Sequence, residues 1–170
     1  MADSISIAML GASGRMGRSI IPLIASDASG LRLSGALVAR GDNAVGQDAG
    51  SFAGSAPLAV AITDDPRRAL AGAGVAIDFT LAEASVRNAA LCRELNVPMV
   101  IGTTGHSGAQ LAELEEIARG AAGRHAVRPL LGQEIVQHLA RELIGAVRVV
   151  VADADAEQVD VVLSHTHLIR

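Results

Sequence analysis

Gly11-Ala12-Ser13-Gly14-Arg15-Met16-Gly17 is the stretch on which the fold turns. Before it stands Ser4 to Leu10 (SISIAML), an apolar run of strand character. After it, residues 14–25 place Met16, Ile20, Leu23 and Ile24 close to helical spacing, with Pro22 a costly kink inside. Glycines spaced G-x-x-G-x-x-G between a strand and a helix form a variant of the turn that holds a dinucleotide's pyrophosphate. Gly11 would permit the tight turn, Gly14 would let the backbone approach the phosphates, and Gly17 would let the helix pack close to the strand. Amide N–H groups at the helix N-terminus would stabilise the phosphate charge, with Arg15 as an added cation. Ala12, Ser13 and Met16 complete this cofactor-binding set. No G-K-[ST] follows, which excludes a P-loop. An ordinary tight turn is the blander alternative, and the correctly placed strand and helix argue against it.

Outward from that turn, strands and helices alternate. Leu31 to Val38 is a second strand, and residues 40–57, rich in Gly, Asp, Ser and Ala, read as a long loop. A short third strand is expected over Ala59 to Ile62 and a helix over Asp65 to Ala71. Val75 to Asp78 is the next strand, followed by a helix from Glu83 to Leu95. Met99 to Ile101 forms a short strand, Gly102 to Gly105 the turn after it, and Ser107 to Arg119 a helix. Such alternation implies right-handed crossovers and a Rossmann-type, doubly wound parallel sheet: an α/β fold. Beyond it, residues 131–144 have helical character. Residues 146–152 and 159–164 suggest a hairpin, added to the sheet edge or used in self-association, which leaves a homo-oligomer open.

Composition agrees with a buried parallel sheet. Half of the 170 residues are apolar, with two Phe and no Trp or Tyr, so Ala, Val, Leu and Ile must build the core. Mean hydropathy is +0.38, yet no apolar run approaches the ~20 residues of a membrane span. The net charge is −4 without a basic cluster, so neither a membrane nor a nucleic-acid partner is expected. The opening Met-Ala-Asp-Ser carries no basic region of a signal peptide, and the single cysteine, Cys92, suits a reducing compartment. The expected location is cytoplasmic.

The end of the second strand distinguishes the two nicotinamide coenzymes. An acid there accepts from ribose hydroxyls, whereas an arginine pairs with a 2′-phosphate. Ala36-Leu37-Val38-Ala39-Arg40 has no acid until Asp42. Arg40 therefore favours NADPH, with NADH as the less favoured coenzyme, unless it is simply a solvated loop arginine.

IAMLGASGRMGRSI, LSGALVARGDNAVGQDAG, AIDFT at 76–80 and VIGTTG at 100–105, in that order, resemble the dihydrodipicolinate reductase family. The likeness covers residues up to about 120. It implies NADPH-dependent reduction of a small cyclic dicarboxylate in lysine and diaminopimelate biosynthesis. It also implies roles: residues 11–17 on the pyrophosphate, Arg40 on the adenosine-side phosphate, Phe79 and Thr80 bordering the nicotinamide. Gly102, Thr103 and Thr104 would bind the carboxamide. Ala39 stands where many members carry an acid used for NADH.

The same resemblance implies a second domain with the signature H-H-x-x-K-x-D-A-P-S-G-T, preceded by an A-P-N-M-S or A-N-F-S strand end, and usually a tetramer built through that domain. Neither motif occurs here, and all 14 basic residues of the Lys+Arg class are arginines. Arginine binds carboxylates but does not donate a proton at neutral pH. Two domains of unequal standing are expected: residues 1–127 for the dinucleotide, and residues 128–170 as a short segment in place of the substrate domain. Residues 157–170 echo a late family pattern, G-E-x-x-x-x-x-H-x-x-x-x-R, over a short span that chance matches equally well. Catalytic residues are unassigned. His106 is the best-placed titratable group, Asp78 reads as a turn-capping carboxylate, and Cys92 as core. A zinc site from Glu134, His138, His165 and His167 is the lesser reading, since nothing fixes the two pairs together. Two functions stay open: an NADPH-dependent reductase, or a coenzyme-binding module without catalysis.

Overall fold

Ile5–Leu10 (β1) sits between two parallel neighbours, and its residues from Ile7 to Leu10 are fully buried. This computed structural model describes residues 4–26, 30–121, 149–150 and 161–162. The chain divides into two compact units, residues 1–80 and 81–170.

In the first unit β1 pairs in parallel with Leu31–Leu37 (β2), from Ile5 opposite Leu31 to Leu10 opposite Leu37. The register slips once, between Ile7 and Ala8, so that Ser34 has no partner in the ladder. On its other side β1 pairs with Val75–Asp78 (β4), and β2 pairs outward with Ile62–Thr63 (β3). The order within the unit is β3-β2-β1-β4. The chain therefore winds outward from β1 and then returns to its opposite side. By the right-handed rule for parallel crossovers, the reversed direction of winding assigns Arg15–Ser26 (α1) and Pro66–Leu70 (α3) to opposite faces of this sheet. Ligands bind in such folds at the crevice where the winding reverses, here the C-terminal ends of β1 and β4.

The helices form for local reasons. α1 buries Gly17, Ile20, Ile21 and Ile24 along one face and tolerates Pro22. α3 starts with Asp65 accepting from the Arg67 and Arg68 N–H groups and with Pro66 in its first turn. β2 and α3 approach so closely that a Cβ at Gly35 would overlap the Ala69 carbonyl oxygen.

Two expectations in this unit are corrected. Residues 40–57 are not all loop, because Ala49–Phe52 (α2) forms one helical turn capped by Asp48, which accepts the Ser51 N–H at 2.9 Å. The third strand is Ile62–Thr63, not 59–62. Ala59 takes a left-handed φ of 57°, and the following residues bond to the preceding loop. Ala49 N–H donates to the Val60 carbonyl and Ile62 N–H to the Gln47 carbonyl, each at 2.8 Å. The Asp48 carboxylate also accepts from the Leu58 and Val60 N–H groups. Residues 58–61 are thus engaged antiparallel to 47–49 before the ladder begins.

The second unit contains Ala82–Leu95 (α4), Met99–Ile101 (β5) and Gly108–Ala121 (α5). Val86, Ala89, Ile101 and Leu114 form its core, with Met99 and Ile117 packed against them. Asn96, at φ 55°, ends α4, and the Val97 N–H donates to the Cys92 carbonyl at 2.8 Å. Ser107 caps α5 reciprocally: its Oγ accepts the Gln110 N–H while its own N–H donates to Gln110 Oε1. Val149–Val150 (β6) and Val161–Val162 (β7) pair antiparallel, Val149 opposite Val162. They match the middle of the expected hairpin strands; its turn, the helix over 131–144 and the 127/128 boundary lie outside the described residues. Among the described residues no helix is long and apolar enough to cross a membrane.

Candidate functional site

The glycines of the turn are demanded for different reasons. Gly11 has φ +86°, and a Cβ there would lie 2.5 Å from the Phe79 carbonyl oxygen, so both conformation and space require glycine. At Gly17 a Cβ would lie 2.4 Å from the Gly11 carbonyl oxygen and 2.6 Å from that of Ala12. This is the close approach of α1 to the end of β1 that the spacing predicts. Gly14 differs, being exposed, with the Gly11 carbonyl oxygen 3.2 Å away as the nearest obstacle to a Cβ. A Cβ at position 14 would press on that backbone oxygen but far less than at Gly11 or Gly17, and the exposed position faces outward above the turn.

Not every amide of the turn is available. Gly11 and Ala12 both donate to the Leu37 carbonyl at 2.9 Å, tying the turn to the end of β2. Gly14 donates back to Gly11 and Arg18 to Gly14. The N–H groups of Arg15, Met16 and Gly17 form the first turn of α1, where no helical carbonyl precedes them. These donors make up the positive end of the helix dipole and suit an anion. Arg15 is exposed and, with Arg18 and Ser19, lines an open cleft completed by Phe52, Ala53 and Gly54.

Phe79 and Thr80 follow β4 and lie directly against this turn. The Phe79 N–H donates to the Leu10 carbonyl at 3.0 Å, and its own carbonyl faces Gly11. Asp78 is fully buried and accepts the Thr80 hydroxyl at 2.8 Å, the turn-capping role expected of it. The structure thus brings residues 11–17 and 79–80 together at the reversal of winding. Cys92 is buried in α4.

Arg40 is exposed just past β2 and forms no ion pair among the described residues. The next acid, which the sequence leaves without a role, is held tightly. The Asp42 N–H donates to the Ala39 carbonyl at 3.1 Å, closing a turn in which Gly41 has φ +76°. Asp42 Oδ2 accepts the Ser13 hydroxyl at 2.7 Å and Oδ1 the Ala44 N–H at 2.8 Å. The Ala44 N–H, and then the Ser13 hydroxyl, hold its carboxyl below the usual carboxylate range. On the other side of the turn, Gly41 N–H reaches the Asp64 carboxylate at 3.4 Å. The signal for Asp42 was the Arg-Gly-Asp sequence, in which glycine permits the backbone to fold back on Ala39.

In the second unit Gly102, Thr103 and Thr104 follow β5; the first two are buried and Thr104 is exposed. His106 is half-buried, and its Nε2 is enclosed without a hydrogen-bond partner among the described residues. Glu134, His138, His165 and His167 lie outside the described residues.

Against known proteins, residues 5–126 match the family model described as "Dihydrodipicolinate reductase, N-terminus". The 4-hydroxy-tetrahydrodipicolinate reductase of Anaeromyxobacter dehalogenans (strain 2CP-1) is 41% identical over 161 residues, 95% of this chain and 57% of that protein. The enzyme of the same name from Ruegeria pomeroyi is 37% identical over 161 residues, with the same coverage of 95% and 57%. The chain therefore spans a little over half the length of these relatives. Among solved structures, the amine dehydrogenase of Mycobacterium smegmatis aligns with a TM-score of 0.59 at 24% identity, over 71% of this chain and 38% of that one. A dipicolinate-bound dihydrodipicolinate reductase from Paenisporosarcina sp. TG-14 aligns with a TM-score of 0.54 at 21% identity, over 81% of this chain and 54% of that one. These two likenesses bear on the fold, which is Rossmann-type.

Proposed function

The chain belongs to the dihydrodipicolinate reductase family, and from that premise we propose that it binds NADPH, and NADH less well, as the coenzyme-binding part of a 4-hydroxy-tetrahydrodipicolinate reductase of lysine and diaminopimelate biosynthesis. The observation that carries the proposal is the cradle at residues 11–17. Its first-turn amides, without a partner among the described residues, its exposed Gly14 and its seat against Phe79 fit a diphosphate at the reversal of winding. When bound, the coenzyme supplies a hydride.

The residues have distinct tasks in this proposal. The N–H groups of Arg15, Met16 and Gly17 hold the diphosphate, while Gly11 and Ala12 fix the turn to β2. Ser13 anchors the loop that follows β2. Arg40 pairs with a 2′-phosphate. By the family resemblance, Phe79 and Thr80 border the nicotinamide and Gly102, Thr103 and Thr104 bind its carboxamide. Residues 1–127 form the dinucleotide part, and residues 128–170 stand where relatives continue into the substrate part. A match of 161 residues reaches past residue 127, so the later segment also has family counterparts.

A second function is favoured by one specific observation. The sequence has no lysine and lacks the His-His-x-x-Lys signature, so the basic cluster that the family resemblance places beside a dicarboxylate substrate does not occur in these 170 residues. The chain alone is then a coenzyme-binding module. Calorimetry with NADPH and NADH, together with the absorbance decay of NADPH when 4-hydroxy-tetrahydrodipicolinate is added, separates the two. We expect coenzyme binding with slow or absent turnover, because hydride transfer without a closed, proton-supplying pocket loses most of its positioning and electrostatic assistance. Brisk turnover would remove the module reading, and failure of either coenzyme to bind would remove both.

A further inference from the structure

We infer that Asp42 is the acceptor for the 2′-hydroxyl of the adenosine ribose, taking over the place of the acid missing at Ala39 and giving NADH a foothold that Arg40 alone does not provide. The inference rests on the proposed coenzyme site and deepens it.

Three contacts carry it. The Ala39–Asp42 turn, permitted by Gly41 at φ +76°, folds the Asp42 backbone over the end of β2, where Rossmann-type sites read the ribose. Ser13, within the phosphate turn, donates its hydroxyl to Asp42 Oδ2 at 2.7 Å, so the carboxylate stands beside the diphosphate cradle. The Ala44 N–H binds the other oxygen at 2.8 Å and fixes the rotation of the carboxylate. A carboxylate has about four acceptor positions, and these two bonds leave others open. Asp42 is only half-buried and therefore reachable from solvent.

The same charge acts in the opposite sense on a 2′-phosphate. With Asp64 held near the Gly41 N–H at 3.4 Å, two carboxylates flank the turn that carries Arg40. Their repulsion opposes the attraction of the single guanidinium for the added phosphate. Asp42 thus narrows the preference for NADPH that Arg40 creates, through a hydrogen bond to one coenzyme and repulsion of the other.

The test is titration of the full 170-residue chain with NADH, 2′-deoxy-NADH and NADPH, for wild type and Asp42→Asn, followed by coenzyme fluorescence. Asparagine keeps the size of the side chain and an acceptor for Ala44 while removing the charge. The expected result is a shift of about tenfold in the NADH-to-NADPH affinity ratio towards NADPH, with the loss for NADH absent for 2′-deoxy-NADH. Equal weakening of all three ligands, or no change in the ratio, would overturn the inference while leaving the coenzyme site standing. Wild-type protein that binds none of the ligands would overturn both. Should Asp42→Asn fail to fold by circular dichroism, Ser13→Ala, which frees the carboxylate from the phosphate turn, must shift the ratio in the same direction or the inference falls.

Discussion

At the scale of single residues, two glycines three positions apart do different work, and substitution separates them. Alanine at Gly11 meets a left-handed backbone and a carbonyl oxygen 2.5 Å away. The backbone conformation alone costs about 1–2 kcal/mol and the overlap about 1–3 kcal/mol. Gly11→Ala should therefore lower the urea midpoint markedly and abolish coenzyme binding together with stability. Alanine at Gly14 meets only the Gly11 carbonyl oxygen at 3.2 Å and otherwise projects from an exposed position. Gly14→Ala should stay within about 1 kcal/mol of wild type in unfolding yet weaken NADPH binding, because its methyl group occupies the approach to the cradle. A Gly14→Ala protein that binds NADPH normally would show that no diphosphate lies there. The distinction was half legible in the sequence. Spacing assigns all three glycines to the turn, but only the contacts reveal that Gly14 is the least crowded of the three and that Gly11 and Ala12 donate to Leu37.

At the scale of elements, the strands best read from sequence are those with sharp local punctuation. Val75–Asp78 follows Gly74 and Met99–Ile101 follows Pro98, and both have the expected bounds. The residues missed lie between β2 and β3, where one helical turn is too short to show periodicity and long-range hydrogen bonds decide the path. Asp48 is the hub of that segment: it caps α2 through the Ser51 N–H and accepts from Leu58 and Val60. The Ser51 N–H is the chief cause that holds its carboxyl below the ordinary 3.8. A group with a depressed folded-state pKa contributes stability that is present above the unfolded value and is lost as pH falls through the folded one. Asp48→Asn should therefore be less stable than wild type at about pH 7, with the gap narrowing as the pH falls below the ordinary 3.8. Urea midpoints at neutral pH and through the acid range measure it. A gap that persists in acid would show that the carboxylate's charge is not what secures residues 58–60. The Arg-Gly-Asp sequence signals a turn at Asp42 but not where its carboxylate is held, since that depends on Ser13, 29 positions away.

For the molecule as a whole, the phosphate cradle, Arg40 and Asp42 all belong to the unit of residues 1–80. A ligand that binds only the folded state stabilises it by mass action, about 2.7 kcal/mol when present at a hundred times its dissociation constant. For a chain of this size that corresponds to a rise in melting temperature of about 5–10 °C. Saturating NADPH should produce that rise, and hydrogen exchange followed by mass spectrometry should locate new protection in residues 11–18 and 37–44. Those stretches hold the turn whose Arg15, Met16 and Gly17 amides would bind the anion and the loop anchored to it through Ser13 and Asp42. Ligand contact alone would protect residues 15–17, whereas ordering of the ribose loop must extend protection to residues 40–44. Melting that rises without protection at 11–18 would place the coenzyme elsewhere in the chain. Protection at 11–18 that stops short of residue 40 would leave the diphosphate cradle intact and remove the adenosine end from the β2 loop.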